Sequence, residues 1–247
     1  MILAIETNKL CKSYGNYLVI KNLNLRVEKG DIHALIGSNG AGKTTTLLML
    51  SGIIKPTSGS AIVVGRDMVR QSIEAKREIG YVPENPSLYE SLTVSEFFEF
   101  VGKLYSVPRD LGKSRIEKYS NLLDINSITR KFIGSLSKGE QQRVLICSIM
   151  LREPQLYLLD EPFFALDPRG ARTLREILEE KAASGSTILL ATHQLEVAER
   201  LCNTFTIIEK GRKLVDGTLR ELQERVGRAS SSLEEIYLHF SERRGNG

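Results

Sequence analysis

The run Gly37-Ser38-Asn39-Gly40-Ala41-Gly42-Lys43-Thr44, followed by Thr45, matches the pattern GxxxxGK[ST]. Glycines at this spacing let successive backbone N–H groups curl around phosphate oxygens, and a helix starting there adds a favourable dipole. In such a loop the lysine reaches the β- and γ-phosphates, and the hydroxyl of Thr44 ligates Mg²⁺. The competing reading is a glycine-rich turn with an incidental Lys-Thr pair. The loop lies between an apolar run, Ile32–Ile36, and a helical pattern over Gly42–Leu50, which favours the phosphate cradle. The pattern alone does not separate GTPases, kinases and ATPases. No Asn-Lys-x-Asp guanine reader is present, since Asn8-Lys9-Leu10-Cys11 fails at its last position.

Leu156-Tyr157-Leu158-Leu159-Asp160-Glu161 is an apolar run ending in two acids. A carboxylate at the end of a buried strand, Asp160, can hold Mg²⁺. The adjacent Glu161 can take a proton from an attacking water. Alone, such acids could equally do no more than meet solvent. Leu136-Ser137-Lys138-Gly139-Glu140 precedes a further helical pattern. Ser-x-x-Glu in that place reads as a capping box, with Ser137 at the N-cap and Glu140 at the third helical position. Gly139 weakens a first turn, and close backbone approach to an anion would explain it.

The elements that must position these residues alternate. Ile2–Leu10, Leu18–Val27 and Ile32–Ile36 read as strands, and their short separations suggest antiparallel neighbours. Ser60–Val64 and Ile79–Val82 read as further strands. Between residues 84 and 153 the pattern becomes helical, over Glu96–Tyr105, Lys113–Leu123 and Glu140–Arg152. Strands and helices then alternate: Leu156–Leu159, Arg169–Ala183 with Asp167 as N-cap, Thr187–Ala191, Gln194–Cys202, Phe205–Glu209 and Lys213–Asp216. This order implies a mostly parallel sheet. The chain turns helical again from Leu219, breaks at Ala229–Ser232, and ends with Leu233–Phe240.

Composition excludes other classes. The 247 residues are 41% hydrophobic and 26% charged, which rules out a disordered chain, a collagen or a coiled-coil rod. Lys and Arg number 34 against 30 Asp and Glu, a net charge of +4. That permits a nucleotide partner but is too weak to argue for nucleic acid. Cys11, Cys147 and Cys202 are too widely spaced for a disulfide framework or a zinc site. No apolar run approaches the length of a membrane span, and the first residues lack a signal-peptide pattern. The expectation is a soluble, cytoplasmic chain.

The three chemical elements, in this order and spacing, resemble the ATP-binding cassette (ABC) ATPases over about residues 1–220. The third is similar to that family's signature, Leu-Ser-Gly-Gly-Gln, with Lys138 and Glu140 departing from it. The resemblance implies an α/β P-loop NTPase fold: a RecA-like parallel-sheet core with an N-terminal antiparallel β subdomain and an inserted α-helical subdomain. Core and β subdomain would take residues 1–83 and 154–229, the helical subdomain 84–153, and a C-terminal tail 230–247. It implies ATP and Mg²⁺ as ligands, Tyr14 stacked on adenine, Glu161 as base and His193 as the switch histidine. Thr44, Asp160 and Glu84 would serve the metal. Ser137, Gly139 and Asp167 would reach the nucleotide of a second subunit, giving a head-to-tail dimer of identical chains. Because the chain has no span, a separate integral-membrane permease would be its partner on the inner face of the membrane. Glu84 stands where the family usually has Gln. It and the ending Leu233–Leu238 resemble the branch that serves exporter-type permeases. The rival is a soluble ABC ATPase with a regulatory or nucleic-acid-associated role. Phe163 and Phe164 follow Glu161-Pro162 where small or polar residues are usual; one could be core and one interfacial. Phe97, Phe98 and Phe100 read as packing, or else as the groove that receives the permease.

Overall fold

The computed structural model describes residues 2–242. The first strands form a curled antiparallel sheet. β1 (Leu3–Tyr14) pairs with β2 (Tyr17–Leu23) on one edge, and β3 (Arg26–Glu28) also pairs with β1. The expected strand Leu18–Val27 is thus two pieces, broken at Asn24-Leu25, just after Asn22 takes a left-handed φ of 53° within β2. β4 (Ile32–Ile36) departs from the expected antiparallel pairing. All five of its residues are buried, so it needs cover on both faces, which only the centre of a parallel sheet supplies. It enters a six-stranded sheet instead.

α1 (Lys43–Leu50) follows β4, and β5 (Ser58–Val63) and β6 (Arg66–Asp67) return to the antiparallel sheet. A short helix that the sequence pattern does not predict, α2 (Ser72–Glu78), leads into β7 (Ile79–Val82). The helical layer then comprises α3 (Val94–Leu104), α4 (Arg109–Leu122) and α5 (Lys138–Arg152). A full capping box, Thr93 with Glu96, starts α3. β8 (Leu156–Asp160), α6 (Pro168–Ala183), β9 (Thr187–Thr192) and α7 (Leu195–Leu201) return the chain to the core. β10 (Thr204–Glu209) and β11 (Arg212–Thr218) follow, then α8 (Leu219–Val226) and α9 (Leu233–Glu242).

The large sheet has the order β11-β10-β4-β9-β8-β7, parallel except for the β10–β11 pair. Side chains of one face, including Ile32, Ala34, Ile36, Leu159 and Leu190, pack under the later helices. Those of the other, including Leu35, Leu158, Leu189 and Ala191, pack with α1 and the antiparallel sheet. α9 lies over this fold with Leu233 and Ile236 fully buried, and the backbone N–H of Leu233 donates to Glu199 of α7 at 2.8 Å. Among the described residues no helix is long and apolar enough to cross a membrane.

Candidate functional site

Four neighbouring parallel strands end along one edge of the large sheet, and each delivers chemistry there. Ile36 at the end of β4 is in register with Thr192 at the end of β9, Ala191 with Asp160 of β8, and Leu159 with Val82 of β7. The glycine loop, the Thr192-His193 pair, the Asp160-Glu161 dyad and the loop bearing Glu84 therefore emerge side by side. The C-terminal edge of an open α/β sheet is where such folds bind ligands.

These loops enclose a cavity of about 430 Å³ lined by Ser38, Asn39, Gly40, Gly42, Lys43, Thr44, Thr45, Glu84, Asp160, Glu161 and His193, with Val19 and Phe164. That volume suits a nucleotide-sized ligand. Gly37 and Ala41 belong to the loop but not to the lining. Gly42 has φ 106°, and a Cβ there would stand 2.4 Å from the Ile20 side chain, so only glycine fits.

Lys43 is 6% exposed, and its Nζ donates to the carbonyls of Gly37 at 2.8 Å and Ser38 at 3.3 Å. It also lies 3.6 Å from Glu161 Oε1. That same oxygen accepts from the His193 backbone N–H at 2.9 Å and lies 2.7 Å from its Nδ1. Glu161 Oε2 accepts from the Thr192 hydroxyl at 2.8 Å. The Glu161 backbone is left-handed, with φ 47°. A non-glycine residue in that region is strained, and such strain concentrates at functional sites. Thr192 is a site residue that sequence reasoning missed, although its place just before His193 at a strand end is a usable signal.

Asp160 is 1% exposed, and neither carboxylate oxygen has a hydrogen-bond partner. Burial pushes its carboxyl up to about 6. The Glu161 and Glu84 carboxylates add to the rise, while the Thr44 hydroxyl and the Lys43 ammonium oppose it. A buried acid with two orphaned oxygens beside a threonine hydroxyl is suited to a hard cation. Among the described residues no three His, Cys, Asp or Glu side chains form a metal cage. Mg²⁺ needs none, since it is held by one or two protein groups plus substrate phosphates.

Tyr14, Ser137, Gly139 and Asp167 lie outside the cavity lining. Tyr14 is exposed at the end of β1, with the Lys12 ammonium 5.1 Å from its ring centre. Ser137 caps α5, its hydroxyl accepting from Glu140 N–H at 3.3 Å while Glu140 accepts from Ser137 N–H at 2.7 Å. Gly139 has a simpler cause than an approaching anion. A Cβ there would stand 2.7 Å from the Ala165 carbonyl oxygen of the same chain. The capping role of Asp167 holds, its carboxylate accepting from Gly170 N–H at 2.9 Å. The paired rings divide: Phe163 is 8% exposed and joins the core, while Phe164 is 67% exposed at the cavity mouth. Phe97 and Phe98 are buried, but Phe100 is exposed and meets Tyr89 edge to face, with ring centres 5.4 Å apart.

The family model described as "ABC transporter" matches residues 20–164. The chain is an ATP-binding subunit of the ABC transporter family, and an ATPase. The cassette is 33% identical over 238 residues to the ABC-type transporter ATP-binding protein EcsA of Bacillus subtilis, covering 96% of each chain. It is 33% identical to the Nod factor export ATP-binding protein I of Cupriavidus metallidurans, over 90% of this chain and 73% of that one. With the linearmycin resistance ATP-binding protein LnrL of Bacillus subtilis it shares 30% identity over 90% and 72%. A solved ATP-binding subunit of an ABC transporter superposes on the cassette with a TM-score of 0.93 and 34% identity, over 96% of this chain and 99% of that one. A dimeric cassette described in a post-hydrolysis state with ADP and Pi shares its fold, at a TM-score of 0.80 and 23% identity, over 87% and 99%.

Proposed function

We propose that the cassette hydrolyses ATP in a site completed by a second copy, and that the cycle drives a separate integral-membrane permease of the export type. One observation carries the two-copy reading. The cavity gathers Lys43, Thr44, Asp160, Glu161 and His193, while Ser137 and Gly139 lie outside its lining. A helix N-terminus such as theirs suits phosphate, and in a head-to-tail pair it would face the partner's nucleotide.

In this reading the backbone N–H groups of residues 38–45 cradle the phosphates, Lys43 meets the β- and γ-phosphates, and Tyr14 stacks on adenine. Thr44 and Asp160 would hold Mg²⁺, with Glu84 nearby, and the ion would neutralise charge developing on the phosphates. Glu161 is the base. Its carboxylate is engaged by Lys43, Thr192 and His193. An arriving γ-phosphate would compete for Lys43 and leave a lone pair of Glu161 Oε1, still held by His193, open to water. His193 then keeps the carboxylate oriented. Asp167 and the loop before α6 report to the partner.

The export assignment rests on Glu84 and on the names of two relatives, a Nod factor export protein and a linearmycin resistance protein. Tyr89 and Phe100, exposed beyond Glu84, are the surface offered to the permease, and the cassette sits on the inner face of the membrane through it.

Glu161→Gln should bind ATP with affinity near that of the parent, lose about a hundredfold or more of turnover, and sediment as an ATP-dependent dimer. Parent-like turnover would remove Glu161 as base. Purification from detergent-solubilised membranes should bring down a stoichiometric multi-span protein. Ribosomal or DNA-bound partners in its place would move the function to a soluble role.

A further inference from the structure

The end of α5 holds two adjacent charged residues that reach in different directions. Arg152 Nη2 donates to the carbonyls of Lys76 at 3.2 Å, Arg77 at 3.3 Å and Ile79 at 2.8 Å. Those carbonyls close α2 and open β7, the strand that runs toward Glu84. The same guanidinium stacks on Tyr105 at the end of α3, 3.4 Å from the ring centre. Glu153 is the left-handed cap of α5, with φ 48°. Its carboxylate accepts from Lys181 of α6 and from Arg115 of α4, and lies 3.5 Å from the Tyr119 hydroxyl. Arg115 also donates to the Leu151 carbonyl at 3.1 Å. Lys181 is itself buried.

Such a pair adds little net stability over apolar packing, since the Glu153 side chain stays 35% exposed while Lys181 is buried. A charged junction instead fixes one geometry through directional bonds. Position matters here because α5 is a lever. Its 15 residues span roughly 22 Å from Ser137 to Arg152, so a tilt of about 5° at the C-terminus moves Ser137 by about 2 Å. Errors of that size in a catalytic group cost orders of magnitude in rate.

We propose that Arg152 and Glu153 are positioning residues that set the angle of α5, and so the placement of Ser137, against the strands carrying Glu84, Asp160 and Glu161. This rests on the two-copy reading of the site, because Ser137 acts on a partner's nucleotide. Arg152 references the helix to β7, and Glu153 references it to α6.

The test uses the full chain with Arg152→Lys, Glu153→Gln, Lys181→Met and the double variant Glu153→Gln/Lys181→Met, assayed well below their melting temperatures. Arg152→Lys keeps the charge and loses only the planar fork, so it decides the matter if Glu153→Gln does not fold. The expected result is a kcat about tenfold lower, with ATP affinity of the isolated subunit within about twofold of the parent. The double variant should be no slower than Glu153→Gln alone, since both substitutions break one pair. Parent-like kcat in Arg152→Lys overturns the proposal, as does a kcat loss matched by an equal loss of ATP affinity. Sedimentation with ATP in the Glu161→Gln background separates the two claims. A parent that stays monomeric removes the two-copy reading. A parent that dimerises while Arg152→Lys turns over normally removes the positioning role alone.

Discussion

The glycine-loop edge of the sheet and the start of α5 carry the two halves of one proposed reaction, and they are built in opposite ways. At the edge, Lys43, Asp160 and Glu161 are buried among fully covered strands, and the lysine and Glu161 are held by several bonds each. At the start of α5, Ser137 and Glu140 form a capping box whose bonds lie at the surface. The first half is preorganised within one chain. The second is a helix end whose local bonds would serve any helix, and only a partner's nucleotide would give it chemistry. The difference teaches that burial marks the residues that hold charge, while exposure marks those offered to another molecule.

The sheet that carries the buried half should be acid-sensitive. His33 lies near the start of β4, at the other end of that strand from the glycine loop, with Nδ1 2.7 Å from the Thr204 hydroxyl and Nε2 2.9 Å from that of Thr206. Burial pushes its imidazole down from 6.5 to about 4, the Asp216 carboxylate working against that fall and Lys213 adding to it. The unfolded chain therefore binds the proton first. The contribution of neutral His33 is complete above pH 6.5 and is lost as pH falls toward 4, on the order of 3 kcal/mol in all. Denaturant titrations of the parent and of His33→Gln should diverge across that window, and parallel curves would break the assignment.

Lys43→Ala should weaken ATP binding by roughly 10- to 100-fold in calorimetry, the loss of a charge-assisted phosphate contact. Unchanged affinity would show that the cavity is not the nucleotide site. Gly139→Ala drives a Cβ against the Ala165 carbonyl and should cost about 1–3 kcal/mol in thermal or denaturant unfolding, with ATP affinity of the single subunit intact. Equal stability would mean that the loop yields freely and that glycine is needed there for something else. Ser137→Ala is the mildest in the folded chain, about 1 kcal/mol for the lost cap. It sharpens the contrast most, because turnover should fall while single-subunit ATP binding stays put. A matched fall in both would merge the two halves into one.

The glycine loop, the Asp160-Glu161 dyad and the Ser137 cap were legible because each joins a local pattern to a local structural cause. The parallel sheet was legible from alternation, but the neighbours of β4 were not. Short sequence separation suggested antiparallel pairing, and two-sided burial overrode it. α2 escaped because Ser72–Glu78 has a single buried residue, Ala75, and so little apolar periodicity. The contact that requires glycine at 139, the Ala165 carbonyl, was not legible because it lies distant in sequence. The same holds for Glu153, whose partners Arg115 and Lys181 come from two other helices. Thr192, by contrast, stood beside a residue already chosen.

Phe164 has an optical consequence. The chain contains no tryptophan, and this exposed ring stands at the mouth of the cavity. Phe164→Trp would give the molecule a single indole whose emission reports directly on the polarity of that mouth. Nucleotide entry and closure by a second copy could then be followed as colour and intensity in real time, without a label elsewhere on the protein.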